Sequence, residues 1–245
     1  MEIKILKTKI ETSKEAANKG IALINKAVKE KGSAVFVMAT GNSQLDLIEF
    51  LVADKSINWS KTKMFHLDEY IGLPESHSAS FRKYLKGRFI SKVNKIGEVN
   101  LINGDTGNPK KECQSLNQLL KKNDVDVAFV GIGENGHLAF NDPIADFEIE
   151  DPFIIVDLDE KCRQQQVNEG WFSSIEEVPK KAISMSIQQI MKSQNIICTV
   201  PGKRKAQAVK DCFGNQDISP SHPASILKKH KNCTVYLDED SSIYL

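Results

Sequence analysis

The feature that most constrains this chain is its rhythm. Short, almost wholly apolar runs such as Ala34-Val35-Phe36-Val37-Met38-Ala39 alternate with longer stretches of helical period. An unbroken apolar run of that length suits a strand covered on both faces, and strands that alternate with helices assemble into a mostly parallel sheet. The expected fold class is α/β: a single-domain, Rossmann-like open sheet, mostly parallel, with helices on both faces, over residues 1–245. Strands are expected at 1–6, 34–39, 63–67, 126–131, 153–156, 196–200 and 234–237. Helices are expected at 44–53, 80–93, 203–211 and 223–229, with a first one running to about Lys31 and capped by Thr12 or Ser13. Residues 72–80 and 141–152 read as irregular loops.

Charge narrows the function classes. The 33 basic and 32 acidic residues are mixed along the chain and leave a net charge of +1, so there is no footprint for nucleic acid or an anionic membrane. Any anionic ligand must therefore be met locally. The five cysteines are scattered, odd in number and form no C-x-x-C pair, which argues against a zinc site or a disulfide framework and fits a reducing cytoplasm. The first ten residues alternate apolar and charged without a long apolar segment, so neither a signal peptide nor a membrane span is supported. A soluble, cytoplasmic protein is expected.

In an open parallel sheet, ligands bind beyond the carboxyl ends of the strands. Four segments fall there. Thr40-Gly41-Asn42-Ser43 leads a strand into a helix through turn-tolerant residues; its free N–H groups and the Ser43 hydroxyl would seat a small anion, although by itself it reads more simply as a helix start capped by Ser43 with Asp46 as partner. It lacks the Lys-Ser/Thr ending of a nucleotide-hydrolysing loop. His66-Leu67-Asp68-Glu69-Tyr70 puts two carboxylates at a strand end, one turned toward the site and its neighbour away. An Asp desolvated there would have a raised pKa and could take and return a proton on carbon, although by itself an Asp-Glu dipeptide reads more simply as a solvated strand-end pair.

The third segment, Gly131-Ile132-Gly133-Glu134-Asn135-Gly136-His137-Leu138-Ala139-Phe140-Asn141-Asp142-Pro143, has the glycine spacing of a dinucleotide-binding turn. That turn needs a helix directly after it, and Pro143, Pro152 and the acidic residues between them leave no room for one. The glycines instead shape a loop that presents His137, with Asp142 able to curl back toward the imidazole and support acid–base work near neutral pH. The fourth segment, Pro201-Gly202-Lys203-Arg204-Lys205, places three cations at a helix start, where they oppose the helix dipole unless an anion sits among them; a solvated basic face is the equal alternative from this segment alone. An anion seat, a base for carbon, a histidine acid–base and a basic strand end together suit aldose–ketose chemistry on a phosphorylated sugar, and that set requires no metal or redox cofactor.

Taken in order, these segments resemble the glucosamine-6-phosphate deaminase (isomerase) family, relatives of 6-phosphogluconolactonase, over about residues 34–237. The lactonase branch carries Asp-Glu-Arg at the second segment and Gly-His-Thr-Ala-Ser at the third, so Tyr70 and Leu138-Ala139-Phe140-Asn141 favour the deaminase side. The resemblance implies a cofactor-free conversion of glucosamine 6-phosphate to fructose 6-phosphate and ammonia, an enzyme expected in the hydrolase class. The candidate catalytic set is Asp68, Asn135, His137 and Asp142: His137, assisted by Asp142, opens the sugar ring, and Asp68 moves a proton from C2 to C1. Thr40, Gly41, Asn42, Ser43 and Lys205 would grip the phosphate, with Gly136, Arg163 and Arg204 as further substrate-binding candidates. Alternatives are a galactosamine-6-phosphate deaminase, a lactonase-like hydrolase, and a sugar-phosphate sensor without turnover.

The chain also departs from the family. Asn42 stands where a glycine is common, and fits if its φ is positive; Asp142 stands where many members have the longer Glu, and Asn135 where some have Asp. A second phosphate arginine expected near 167–171 is missing, for which Arg163 or Arg204 would substitute. Residues 144–152 are acidic where allosteric members are basic, so no activation by N-acetylglucosamine 6-phosphate is expected.

Overall fold

The computed structural model describes residues 1–245. Seven parallel strands form the main sheet, in the order β1 (Glu2–Leu6), β10 (Cys233–Asp238), β9 (Asn195–Val200), β6 (Val127–Val130), β2 (Ala34–Met38), β3 (Thr62–His66) and β5 (Glu98–Val99). The central strands β2 and β6 are buried at every residue. Alternation along β2 sends Val35 and Val37 into a core of 34 residues on one face, and Phe36 and Met38 into a core of 21 on the other. From β2 the chain builds outward through β3 and β5; from β6 it builds the opposite way through β9 and β10. The halves diverge between β2 and β6, and that is where a crevice opens at the strands' carboxyl ends.

Helix α1 (Lys9–Lys31) covers one face, and its length follows from its ends: the Thr8 hydroxyl accepts from the Glu11 N–H, and Gly32 closes it at φ 78°. The expected caps Thr12 and Ser13 lie instead inside the helix and are buried, Thr12 donating to the Thr8 and Leu237 carbonyls. Gly20 of α1 packs on Phe129, where a Cβ would lie 2.4 Å from the ring. The remaining helices are α2 (Leu45–Ala53), α3 (Phe81–Leu85), α4 (Pro109–Leu120), α5 (Glu160–Asn168), α6 (Ile187–Met191) and α7 (Ala206–Phe213). The helix expected from 80 to 93 is shorter, widening into a π turn at Lys86–Ile90, and 223–229 is 3-10. None of them is long and apolar enough to cross a membrane.

Residues 153–156 do form a strand, but not in the parallel sheet. β7 (Phe153–Asp157) pairs antiparallel with β8 (Lys181–Met185), which pairs antiparallel with β4 (Asp68–Tyr70). No helix intervenes between β6 and β7, so β7 lacks the covered crossover that a parallel neighbour needs. Leu67 joins the two sheets: its N–H donates to the Met38 carbonyl of the main sheet, and its own carbonyl accepts from Met185 of the small one. Asp68 follows at the point where the chain changes sheets. A third core, built on Tyr70, Phe81, Phe140 and Phe172, ties the small sheet to α3 and α5.

Candidate active site

A cleft of about 340 Å³ lies over the carboxyl ends of β2, β6 and β9, and Thr40, Gly41, Asn42, Ser43, Asp68, His137 and Lys205 all line it. Residues from four separate segments of the sequence thus converge on one volume.

Asp68 and Glu69 are adjacent carboxylates with opposite surroundings. Glu69 is fully buried and accepts from the Tyr70, Phe81 and Arg82 N–H groups and the Ser80 hydroxyl, with the Arg82 guanidinium 3.4 Å away. It fastens the start of α3. Asp68 accepts no such bonds and turns into the cleft, only 7% exposed. Burial, and secondarily the charge of Glu69, push its pKa up to about 8. An acid held there can both accept and donate a proton near neutrality.

The glycines of the third segment have steric reasons that concern histidine. A Cβ on Gly133 would lie 2.3–2.5 Å from three atoms of the His137 ring, so the imidazole rests directly on that backbone. Gly136 at φ 82° and Ala139 at φ 53° turn the chain back on itself. Asn141 is pinned by donating to the Leu138 and Met185 carbonyls, and Asp142 then lies 3.1 Å from His137 Nδ1. The shorter Asp therefore reaches the imidazole. Burial raises the pKa of Asp142, but His137, the Asp159 N–H and Asn135 outweigh it and hold the carboxyl below its usual value. Asn135 ties the loop from within, donating to Asp142 and accepting from the His137 N–H. Asn135, Asp142 and Gly136 stand behind the cleft rather than in its wall. No helix follows the glycines, so this turn lacks the helix N-terminus on which a dinucleotide-binding turn rests its pyrophosphate.

Two turns of the same shape form the anion end. After β2, Gly41 at φ 97° opens a 3-10 turn, Asn42–Gln44, that runs into α2; after β9, Gly202 at φ 97° opens a 3-10 turn, Lys203–Lys205, that runs into α7. Each begins with N–H groups that have no partner in their own turn. The expectation of a positive φ at Asn42 is not met, because Gly41 has already made the reversal. Nor does Ser43 cap α2 or Asp46 complete a capping box: the Ser43 hydroxyl accepts from the Gln44 amide, and Asp46 pairs with Lys9 at 3.0 Å. Lys205 is nine-tenths buried, and burial lowers its pKa.

Arg204 lines the cleft with its guanidinium 2.8 Å from Glu134. Arg163 does not line it; its guanidinium donates to the Ile175 and Val178 carbonyls. On this side the cleft is lined by Gln165 and Gln166 of α5 and by Glu169 just after its end, while those two carbonyls hold the Arg163 guanidinium. As placed, Arg163 does not supply the missing phosphate arginine. Lys9, Gln165, Gln166 and Glu169 also line the cleft and were not anticipated. Lys9 opens a helix 31 residues before Thr40 in the sequence, and α5 carries no motif, so only the tertiary arrangement brings them in.

His137, Asp142 and Cys162 bring donor atoms within 4.8 Å of one another. Burial pushes the Cys162 thiol far up, so the sulfur stays protonated and is a poor metal ligand.

Residues 7–154 match the family described as glucosamine-6-phosphate isomerases/6-phosphogluconolactonase. A glucosamine-6-phosphate deaminase from Clostridium novyi is 37% identical over 99% of both chains. The solved structure of a monomeric glucosamine-6-phosphate deaminase superposes with a TM-score of 0.91 at 32% identity, covering 100% of each chain. A 6-phosphogluconolactonase from Thermotoga maritima shares the fold, with a TM-score of 0.78 at 18% identity over 97% of this chain and 98% of its own. The deaminase relatives bear deaminase names, and none of these names supports the expected hydrolase class.

Proposed function

Because the chain belongs to the family of glucosamine-6-phosphate isomerases and 6-phosphogluconolactonases, we propose that its cleft converts glucosamine 6-phosphate to fructose 6-phosphate and ammonia. One observation carries this reading: an unpaired Asp with its pKa near 8 and a His–Asp pair face the same cleft as two N–H-rich turns and a buried lysine.

The phosphate sits against the 41–43 turn and Lys205, where N–H donors and a desolvated ammonium recognise it. That anchors the sugar so that its reacting carbons lie at the other end. His137 takes the proton from the C1 hydroxyl and returns one to the ring oxygen, opening the pyranose. Asp142, kept ionised, supports the imidazolium formed between those transfers. Asp68 removes the proton from C2, giving an enolamine, and delivers it to C1. The nitrogen is then double-bonded to C2, and water displaces it as ammonia. Asn135 and Gly136 act by positioning the loop. The five cysteines are all free and buried, which supports a reducing, cytoplasmic setting.

The test is ammonia release from a panel of glucosamine 6-phosphate, galactosamine 6-phosphate and 6-phosphogluconolactone. Ammonia and a ketose phosphate from glucosamine 6-phosphate are expected. Lactone hydrolysis without ammonia release, or binding without product, would end this reading.

A further inference from the structure

The anion end of the cleft carries charges of both signs. Lys9, Lys203, Arg204 and Lys205 line it together with Glu134 and Glu169. Two of the cations are already engaged, Lys9 with Asp46 at 3.0 Å and Arg204 with Glu134 at 2.8 Å, and Lys203 is exposed. That leaves Lys205, nine-tenths buried, whose ammonium makes neither an ion pair nor a hydrogen bond. Glu169 is its acidic counterpart. The Gln165 amide at 2.7 Å and the Trp171 indole N–H at 3.3 Å hold its carboxylate, and both donors are neutral, so they fix the group without cancelling its charge. Of the charges that offset the effect of burial on Lys205, Glu169 is the largest.

A buried ammonium without a counter-charge is costly, and a carboxylate beside an incoming phosphate is repulsive. We propose that Glu169 is an affinity-limiting residue of the anion end: its carboxylate, held by neutral donors in the wall of the same cleft as Lys205, opposes the phosphate that Lys205 attracts and limits how tightly the cleft holds it. This inference rests on the cleft's being a sugar-phosphate site. It gives that site a built-in ceiling on affinity, so that a product still carrying the phosphate is released.

The test is calorimetric titration with inorganic phosphate at about pH 8, on the full-length protein and on its Glu169→Gln and Glu169→Asp variants. Glu169→Gln is expected to bind phosphate about three- to ten-fold more tightly, Glu169→Asp about as the parent does, and the gain to shrink at high potassium chloride. KM for glucosamine 6-phosphate should fall in parallel in Glu169→Gln. If Glu169 merely holds Gln165 and Trp171 in place, both variants bind phosphate more weakly, and that result overturns the proposal. Unchanged affinity in Glu169→Gln overturns it as well. If the parent protein binds no phosphate, the anion-seat reading itself falls, whereas tight binding with no charge dependence removes only the role of Glu169.

Discussion

At one end of the cleft the backbone does what side chains do at the other. The anion end is built from two copies of one device, a strand that ends in a glycine at φ 97° and a 3-10 turn that runs into a helix. Its donors are largely peptide N–H groups, which exist whatever residues occupy the turn, and so Asn42-Ser43-Gln44 and Lys203-Arg204-Lys205 can share a shape. The acid–base end has no such redundancy. Asp68 and His137 act through single atoms, and their surroundings set their chemistry: burial raises the Asp68 carboxyl, and Gly133 and Asp142 fix the imidazole. Substitutions at the acid–base end should therefore abolish turnover and spare binding, whereas those at the anion end should weaken binding by degrees.

The largest expected effect tests the first half of that contrast. Asp68→Asn should lower kcat by about 10³-fold while phosphate affinity stays within about two-fold, measured by ammonia release and by phosphate titration. Comparable losses in both would show that the two ends are not separable. Lys205→Ala should do the reverse, raising KM by about 10- to 100-fold with a smaller change in kcat, because one charge-assisted contact is lost among surviving N–H donors. A fall in kcat alone would move Lys205 out of the anion seat.

Proton linkage separates the ends more gently. In the unfolded chain Asp68 loses its proton near 3.8, whereas in the fold it keeps it to about pH 8. Between those values the folded state binds more protons than the unfolded state, so the stability contributed by the protonated acid is present below pH 3.8 and is lost as pH rises through about 8. Asp68→Asn cannot ionise. Its melting midpoint should match the parent's near pH 4 and exceed it by about 10 °C or more above pH 8, read by thermal unfolding across that range. Over the same range the parent's kcat/KM should climb with pH toward about 8, as Asp68 becomes an available base. The smallest effect is an expected absence. N-acetylglucosamine 6-phosphate should leave the rate unchanged, given Asp146, Glu148, Glu150 and Asp151 in the loop after Pro143.

Much of the site was legible because strand ends announce themselves. The apolar run through Met38 and Ala39 predicts where β2 stops, and Thr40 to Ser43 then fall at its carboxyl end. The same logic found Asp68, His137 and Lys205. It failed where position depends on contacts distant in sequence. Arg163 carries the right charge in the right region, yet the Ile175 and Val178 carbonyls hold its guanidinium, and Gln165, Gln166 and Glu169 line the cleft instead. Thr12 and Ser13 are good caps by type, but Thr8 was placed to cap first. Helix α4 was missed altogether, although Asn108 caps it by accepting from the Lys111 N–H and Pro109 stands at its first helical position.

The sequence by itself determined the parallel sheet, the ends of its central strands and the rejection of a dinucleotide turn, because apolar periodicity, glycine and proline act within a few residues of where they stand. The tertiary structure alone decided that β4, β7 and β8 form a separate antiparallel sheet, that Lys9 and α5 close the cleft, and that Asp68 rather than Glu69 is left without partners. Those outcomes depend on which surfaces pack together and which polar groups find donors once buried, and neither is encoded in any short stretch of chain.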